Sequence, residues 1–294
     1  MTTVAFIGLG IMGGPMAANL VKAGFDVVGY NRSPEKVKEL VEKGGRGAED
    51  VASAVREADV VITMVPDSPD VEAVSGEVFA GAREGTLYID MSSIRPDVSA
   101  RVAELGRQRG LRVLDAPVSG GEVGAVEASL SIMVGGETAD FETAKPVLEA
   151  VGKTIVHVGP AGAGQTVKAA NQLIVAGNIE LLAEALTFLQ AYNVDVDSAV
   201  KVLGGGLAGS AVLDQKASKM LARNFDPGFR IALHHKDLGI VTAAAREAGV
   251  VIPLGSLVAQ LMASALANGE GGLDHSALLL GVERLSGTEG GSGK

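Results

Sequence analysis

Cysteine is missing from all 294 residues, which excludes disulfide staples, thiolate metal sites and a cysteine nucleophile and suits a reducing compartment. Tryptophan is missing as well, and with three tyrosines and seven phenylalanines the core has to be built from Ala, Val, Leu and Ile. Positive charge is short: 25 Lys and Arg stand against 35 Asp and Glu, a net charge of −10. A phosphate backbone would be repelled on balance, and no segregated basic patch offsets this, so nucleic acid is not an expected partner. The N-terminus lacks a basic leader, Lys22 being the first cation. Gly8, Gly10, Gly13, Gly14 and Pro15 break the uncharged start before it reaches the roughly 20 apolar residues of a membrane span. A cytoplasmic protein without a membrane anchor is expected. Four histidines with no cysteine supply no ligand-spaced cluster, and no metal is expected.

What is abundant is apolar residues, at 47%, and glycine, at 40 residues. Such a chain has a sizeable core and many close backbone approaches, and its length allows about two domains. Short β-branched runs at 3–7, 25–30, 60–65, 86–90, 112–116, 131–134 and 154–157 read as buried strands. Helix-like segments at 12–23, 34–43, 48–58, 97–109 and 139–151 lie between them, and this alternation predicts a parallel, doubly wound sheet. After Gly164 the pattern becomes helical, with a long helix over 165–192 and further helices at 195–203, 211–222, 234–248 and 253–268. The expected fold is therefore α/β: an N-terminal Rossmann-type doubly wound sheet (1–162), then an all-α domain (163–285) entered through a long helix. Residues 286–294, rich in Gly, Ser and Glu, read as a mobile tail.

Three clusters carry chemistry. The first strand runs into Gly8-Leu9-Gly10-Ile11-Met12-Gly13, a GxGxxG between strand and helix. Gly8 permits the tight turn, Gly10 admits a pyrophosphate to the backbone, and Gly13 lets helix and strand pack closely, while the helix N-terminus faces the phosphates. About 20 residues on, where a carboxylate would bond the ribose of NAD, the chain has Asn31-Arg32-Ser33. Arg32 can pair with a 2′-phosphate and Asn31 or Ser33 can bond it, which favours NADP over NAD. The second cluster, Asp115-Ala116-Pro117-Val118-Ser119-Gly120-Gly121, falls at the carboxyl end of a strand, where open α/β sheets bind ligands. Its small residues expose N–H groups that can hold a carboxylate together with the Ser119 hydroxyl; plain loop punctuation is the competing reading. In the third, Lys168, Asn171 and Gln172 share one helical face among apolar neighbours. That face is either a surface stripe or a polar island in which Lys168, buried beside a nicotinamide, donates a proton.

Together these motifs, with Lys236-Asp237-Leu238 further on, resemble the β-hydroxyacid dehydrogenase family over nearly the whole chain. The resemblance implies that Lys168 is the catalytic acid/base, that Asn171 orients substrate beside it, and that Ser119, Gly120 and Gly121 hold the substrate carboxylate. It also implies that Lys236 lies against the bound cofactor, that Val65, Pro66 and Ser93 contact it, and that the chain forms a dimer or tetramer. Residues 204–210, 224–230 and 274–278 look most like the branch that reduces tartronate semialdehyde to D-glycerate. Another short β-hydroxyacid or semialdehyde dehydrogenase, such as the 3-hydroxyisobutyrate branch, is the near alternative, and a dinucleotide-sensing protein without turnover the remote one. Ser93 stands where many relatives have threonine.

Overall fold

Neighbouring residues of the first strand end up in different cores. Val4 and Phe6 pack on one face of the sheet, Ala5 and Ile7 on the other, and all four are buried. This period-2 alternation with both faces covered is why the strands read as unbroken apolar runs. A computed structural model describes residues 1–288, and the chain divides into two units, Met1–Lys168 and the residues from Ala169 onward.

In the first unit the elements run β1 (Thr3–Ile7), α1 (Gly13–Lys22), β2 (Asp26–Tyr30), α2 (Pro34–Glu42), β3 (Arg46–Gly47), α3 (Val51–Val55), β4 (Val60–Thr63) and α4 (Ser68–Gly81). They continue with β5 (Leu87–Asp90), α5 (Pro96–Gln108), β6 (Arg112–Asp115), β7 (Val118–Ser119), α6 (Gly121–Val126), β8 (Leu130–Gly136), α7 (Thr138–Glu149) and β9 (Gly152–Gly159). The strand order is β3-β2-β1-β4-β5-β6-β8-β7, with β9 beside β8. From β3 to β6 every pairing is parallel, in the order of a dinucleotide-binding sheet. The far edge corrects the expectation of a wholly parallel sheet, because β8 runs antiparallel to both β6 and β7. The switch follows from the short route Pro117–Ser129, which folds back on itself without a full crossover helix. Helix α4 was not expected from the sequence; Asp67 caps it, its carboxylate accepting the Ser68 N–H, and Pro69 sits in the first turn.

Helix α8 (Ala163–Ala191) begins in the first unit and continues into the second, followed by α9 (Val196–Gly204), α10 (Ala211–Leu221), α11 (Ile231–Glu247), α12 (Pro253–Ala267) and α13 (Leu278–Ser286). The last helix corrects the expected tail: Ser286 is helical, and the tail from residue 289 on lies outside the described residues. By length and apolarity α8 could cross a membrane. Its Ala176, Ile179, Leu182, Ala183 and Leu186 instead form the core of the second unit with Leu213, Met220, Ile231, Leu238 and Met262.

One carboxylate is buried in that core helix. Burial pushes Glu180 up from 4.5 to about 7, with the nearby charge of Glu184 adding to the effect, and its Oε2 has no hydrogen-bond partner among the described residues. The folded form therefore keeps a proton that the unfolded chain has released, so stability falls as pH rises from about 4.5 through about 7. Glu180→Gln should remove this slope, gaining about 2 kcal/mol over the parent between pH 5 and pH 8. Urea denaturation at both pH values checks it; parallel pH curves for the two proteins would contradict it.

Candidate active site

The glycine loop leaves β1 with Gly8 at φ +99°, where an added Cβ would lie 2.2 Å from the Met64 carbonyl oxygen. A Cβ on Gly13 would lie 1.9 Å from the Gly8 carbonyl oxygen. Both glycines are required by backbone approaching backbone. Gly10 differs, because a Cβ there would meet nothing within 4 Å. Space is thus left over Gly10 for a group outside the protein, and the residues fit a bound pyrophosphate. At Met12 no side chain caps α1, and its first turn holds no acidic residue, so the helix end keeps its preference for an anion. Ile11 is exposed and Leu9 buried.

Asn31 fixes this loop to the end of β2. Its Oδ1 accepts the Leu9 N–H at 3.0 Å and its Nδ2 donates to the Ser33 carbonyl at 3.3 Å. Arg32 projects outward, its side chain 81% exposed and 4.0 Å from Asp70 on α4. Ser33 starts α2 without a side-chain cap.

At the carboxyl ends of β4 and β5 the backbone is held by a buried polar chain. Tyr88 Oη and Thr63 Oγ1 are 2.9 Å apart, and Thr63 donates to Asp90 Oδ1 at 2.8 Å. Asp90 Oδ1 also accepts the Ser92 N–H, and Ser92 Oγ accepts the Val65 N–H at 3.0 Å. One carboxylate therefore aligns the two segments carrying Val65, Pro66 and Ser93. Burial raises Asp90 from 3.8 to about 6 against the bonds from Ser92 and Thr63, with Asp115 adding a like charge.

Asp115, at the end of β6, occupies the start of α8. Its Oδ1 accepts the Gly162 N–H at 2.7 Å and its Oδ2 the Gln165 N–H at 2.9 Å. Burial pushes its carboxyl up while these N–H groups pull it down. Gly135 and Gly164 leave room for it, since a Cβ on either would come within 2.7 Å of the carboxylate. Three residues past Gln165 comes Lys168, 8% exposed. The surface-stripe reading of this face is thereby excluded at Lys168.

Beyond β6, Gly120 and Gly121 take φ of +135° and +61°, a pair of conformations that side chains resist. Gly120 starts α6 without a side-chain cap, and Ser119 closes β7 just before it. Ser119 and Gly121 are half-buried and Gly120 is exposed, so the turn is partly open.

Within the second unit, the polar residues of α8 connect to α11. Asn171 Nδ2 donates to Gln172 Oε1 at 2.8 Å, and Gln172 Nε2 donates to Asp237 Oδ2 at 2.5 Å. Asp237 Oδ1 pairs with Lys236 Nζ at 2.9 Å. Asn171 and Lys236 thus belong to one network, in which Gln172 and Asp237 are buried. Behind it, His234 lies 3.2 Å from the Gln172 carbonyl and 3.0 Å from His275, nitrogen to nitrogen. Burial and the neighbouring imidazole hold His275 down at about 3. Asp274 accepts the Gly228 and Phe229 N–H groups and the Lys216 ammonium, and its carboxyl lies well below the usual range despite burial, through the bond from Ser276 and the bond and charge of Lys216.

Sequence reasoning did not single out Asp90, Gln165, Asp237 or the His234–His275 pair. Asp115 stood inside a quoted motif without a role.

Over nearly its whole length the chain is similar to known proteins. Residues 3–159 match the family described as the NAD binding domain of 6-phosphogluconate dehydrogenase. Residues 162–281 match the family described as NAD-binding of NADP-dependent 3-hydroxyisobutyrate dehydrogenase. The chain is 43% identical over 286 residues to 2-hydroxy-3-oxopropionate reductase of Escherichia coli strain K12, covering 96% of this chain and 98% of that protein. It is 35% identical to 2-(hydroxymethyl)glutarate dehydrogenase of Eubacterium barkeri, covering 97% of this chain and 96% of that protein. Among solved structures it is similar to Mycobacterium tuberculosis 3-hydroxyisobutyrate dehydrogenase with L-serine, at a TM-score of 0.89 and 38% identity, covering 95% of this chain and 98% of that one. These matches make the chain an NAD(P)-dependent oxidoreductase. The chain belongs to the β-hydroxyacid dehydrogenase family.

Proposed function

We propose that the chain reduces the aldehyde of tartronate semialdehyde to D-glycerate, with NADPH preferred over NADH. The observation that carries this reading is Lys168, a lysine buried one turn into a helix whose start is fixed by Asp115. The dinucleotide, when bound, supplies the hydride to the carbonyl carbon. Lys168 donates its proton to the carbonyl oxygen as negative charge grows there, which stabilises the transition state more than the ground state. In the oxidative direction the neutral amine takes the hydroxyl proton. Ser119 and the N–H groups of Gly120 and Gly121 bind the substrate carboxylate, and Asn171 orients the substrate. Lys236, the residue assigned to the cofactor, pairs with Asp237, and Gln172 links Asp237 to Asn171. The preference for NADPH is supported by the exposed Arg32 and by the lack of a carboxylate at 31–33.

Comparing kcat/KM for tartronate, methylmalonate and succinic semialdehydes with each cofactor tests the assignment. The highest value should belong to tartronate semialdehyde with NADPH. A preference for methylmalonate semialdehyde would move the chain to the 3-hydroxyisobutyrate branch, and binding of dinucleotide without oxidation by any aldehyde would make it a sensor.

A homo-oligomer is part of the same proposal. Val167, Ile174, Leu181 and Phe188 are exposed at every seventh residue of α8, the period at which two helices form a seam. A second copy of this chain would cover that stripe. Leu181→Glu together with Phe188→Glu should shift the sedimentation coefficient to that of a monomer; an unchanged coefficient would remove the stripe from any interface.

A further inference from the structure

Gln165 is 1% exposed, and each polar atom of its side chain is used on backbone. Its Oε1 accepts the Ile94 N–H at 3.1 Å and its Nε2 donates to the Ser92 carbonyl at 2.7 Å. The amide therefore clasps the backbone on both sides of Ser93. Its own N–H is bound to Asp115, so the residue is held at both ends. An apolar side chain would leave the Ile94 N–H and the Ser92 carbonyl without these bonds, so the clasp has a structural reason, and its position allows a second. Lys168 supplies it. It lies three residues further along α8, about 4.5 Å of rise, and the segment clasped by Gln165 is the one aligned with Val65 through Ser92.

We propose that Gln165 is a positioning residue: by joining Ser92 and Ile94 to the first turn of α8, it sets the height of Lys168 against the cofactor-binding ends of β4 and β5. The proposal rests on the reading of Lys168 as the proton donor. The side chain has to offer one donor and one acceptor at fixed spacing. Leucine offers neither, and an ionised glutamate repels the Ser92 carbonyl while still accepting from Ile94. A protonated glutamate restores the donor.

Gln165→Leu should lower kcat by about 30-fold, as misplacement by a fraction of an ångström does in an aligned reaction, while the dinucleotide Kd read by nicotinamide fluorescence moves less than about three-fold. Hydrogen exchange of the ligand-free protein should quicken at 92–95 and at the start of α8 and leave α11 unchanged. In Gln165→Glu, kcat relative to the parent should recover as pH falls, because the carboxyl regains its proton. The effect has to pass through Lys168: in a Lys168→Met protein, adding Gln165→Leu should cost less than about two-fold.

A Gln165→Leu kcat within about two-fold of the parent, or multiplicative losses in the double variant while Lys168→Met alone is crippled, would overturn the role of Gln165 and leave the lysine reading intact. Should Gln165→Leu fail to fold, a Gln165→Glu protein with the parent's kcat and pH profile would overturn it equally. A Lys168→Met protein with native turnover would sink the functional reading and this proposal with it.

Discussion

Lys168→Met is expected to cut turnover by about a thousand-fold, the middle of the range for loss of a general acid, with dinucleotide affinity nearly unchanged. Methionine keeps an unbranched apolar stem one atom shorter than lysine, so packing in the first turns of α8 survives, and Asp115 and Gln165 still fix the start of the helix. What disappears is the proton and the positive charge that the proposed mechanism sets against the developing alkoxide. Stopped-flow absorbance at 340 nm with saturating semialdehyde reads the loss, and nicotinamide fluorescence reads binding. Turnover within ten-fold of the parent would assign the proton to another group.

The glycine loop predicts two opposite failures. Gly13→Ala puts a methyl group 1.9 Å from a backbone oxygen of Gly8, a collision that no side-chain rotation relieves. Loss of stability on the order of 3 kcal/mol is expected, seen as a lowered urea midpoint before any cofactor is added. Gly10→Ala meets nothing within 4 Å, so stability should stay within about 0.5 kcal/mol of the parent. Its methyl group instead occupies the room left for the pyrophosphate, and dinucleotide affinity should fall about a hundred-fold. Equal affinity in Gly10→Ala and the parent would place the phosphates elsewhere.

The glycine fingerprint could be read in the sequence because its requirements are local: a strand, a turn and a helix within about 20 residues. Buried parallel strands were visible for a similar reason, being short β-branched runs such as Val60–Thr63. Helix α4 was hidden by Ser68, Pro69, Ser75 and Gly76, which weaken the helical pattern although Asp67 and Pro69 mark a start. The antiparallel edge was hidden because β7 is two residues long. The helical bundle was largely visible through long apolar stretches, except α13, whose nine residues follow two short turns that obscure its beginning.

The site divides along the same line. Lys168 and Asn171 stood out by helical spacing, and Ser119 with its glycines by composition. Asp115 gains its function from N–H groups 47 and 50 residues away, and Gln165 from backbone 71 and 73 residues away. Asp237 acts through Gln172, 65 residues distant. Such pairings are fixed by the path of the sheet and the placing of the helices, and one sequence carries no local trace of them.

In the proposed mechanism the ammonium of Lys168 meets the reacting oxygen. A crystal structure of the protein with NADP and D-glycerate is the test. Lys168 Nζ should lie within about 3 Å of the substrate hydroxyl that is oxidised, with the carboxylate on Ser119, Gly120 and Gly121. A hydroxyl facing a different proton-bearing side chain, with Lys168 bonded to the carboxylate instead, would contradict it.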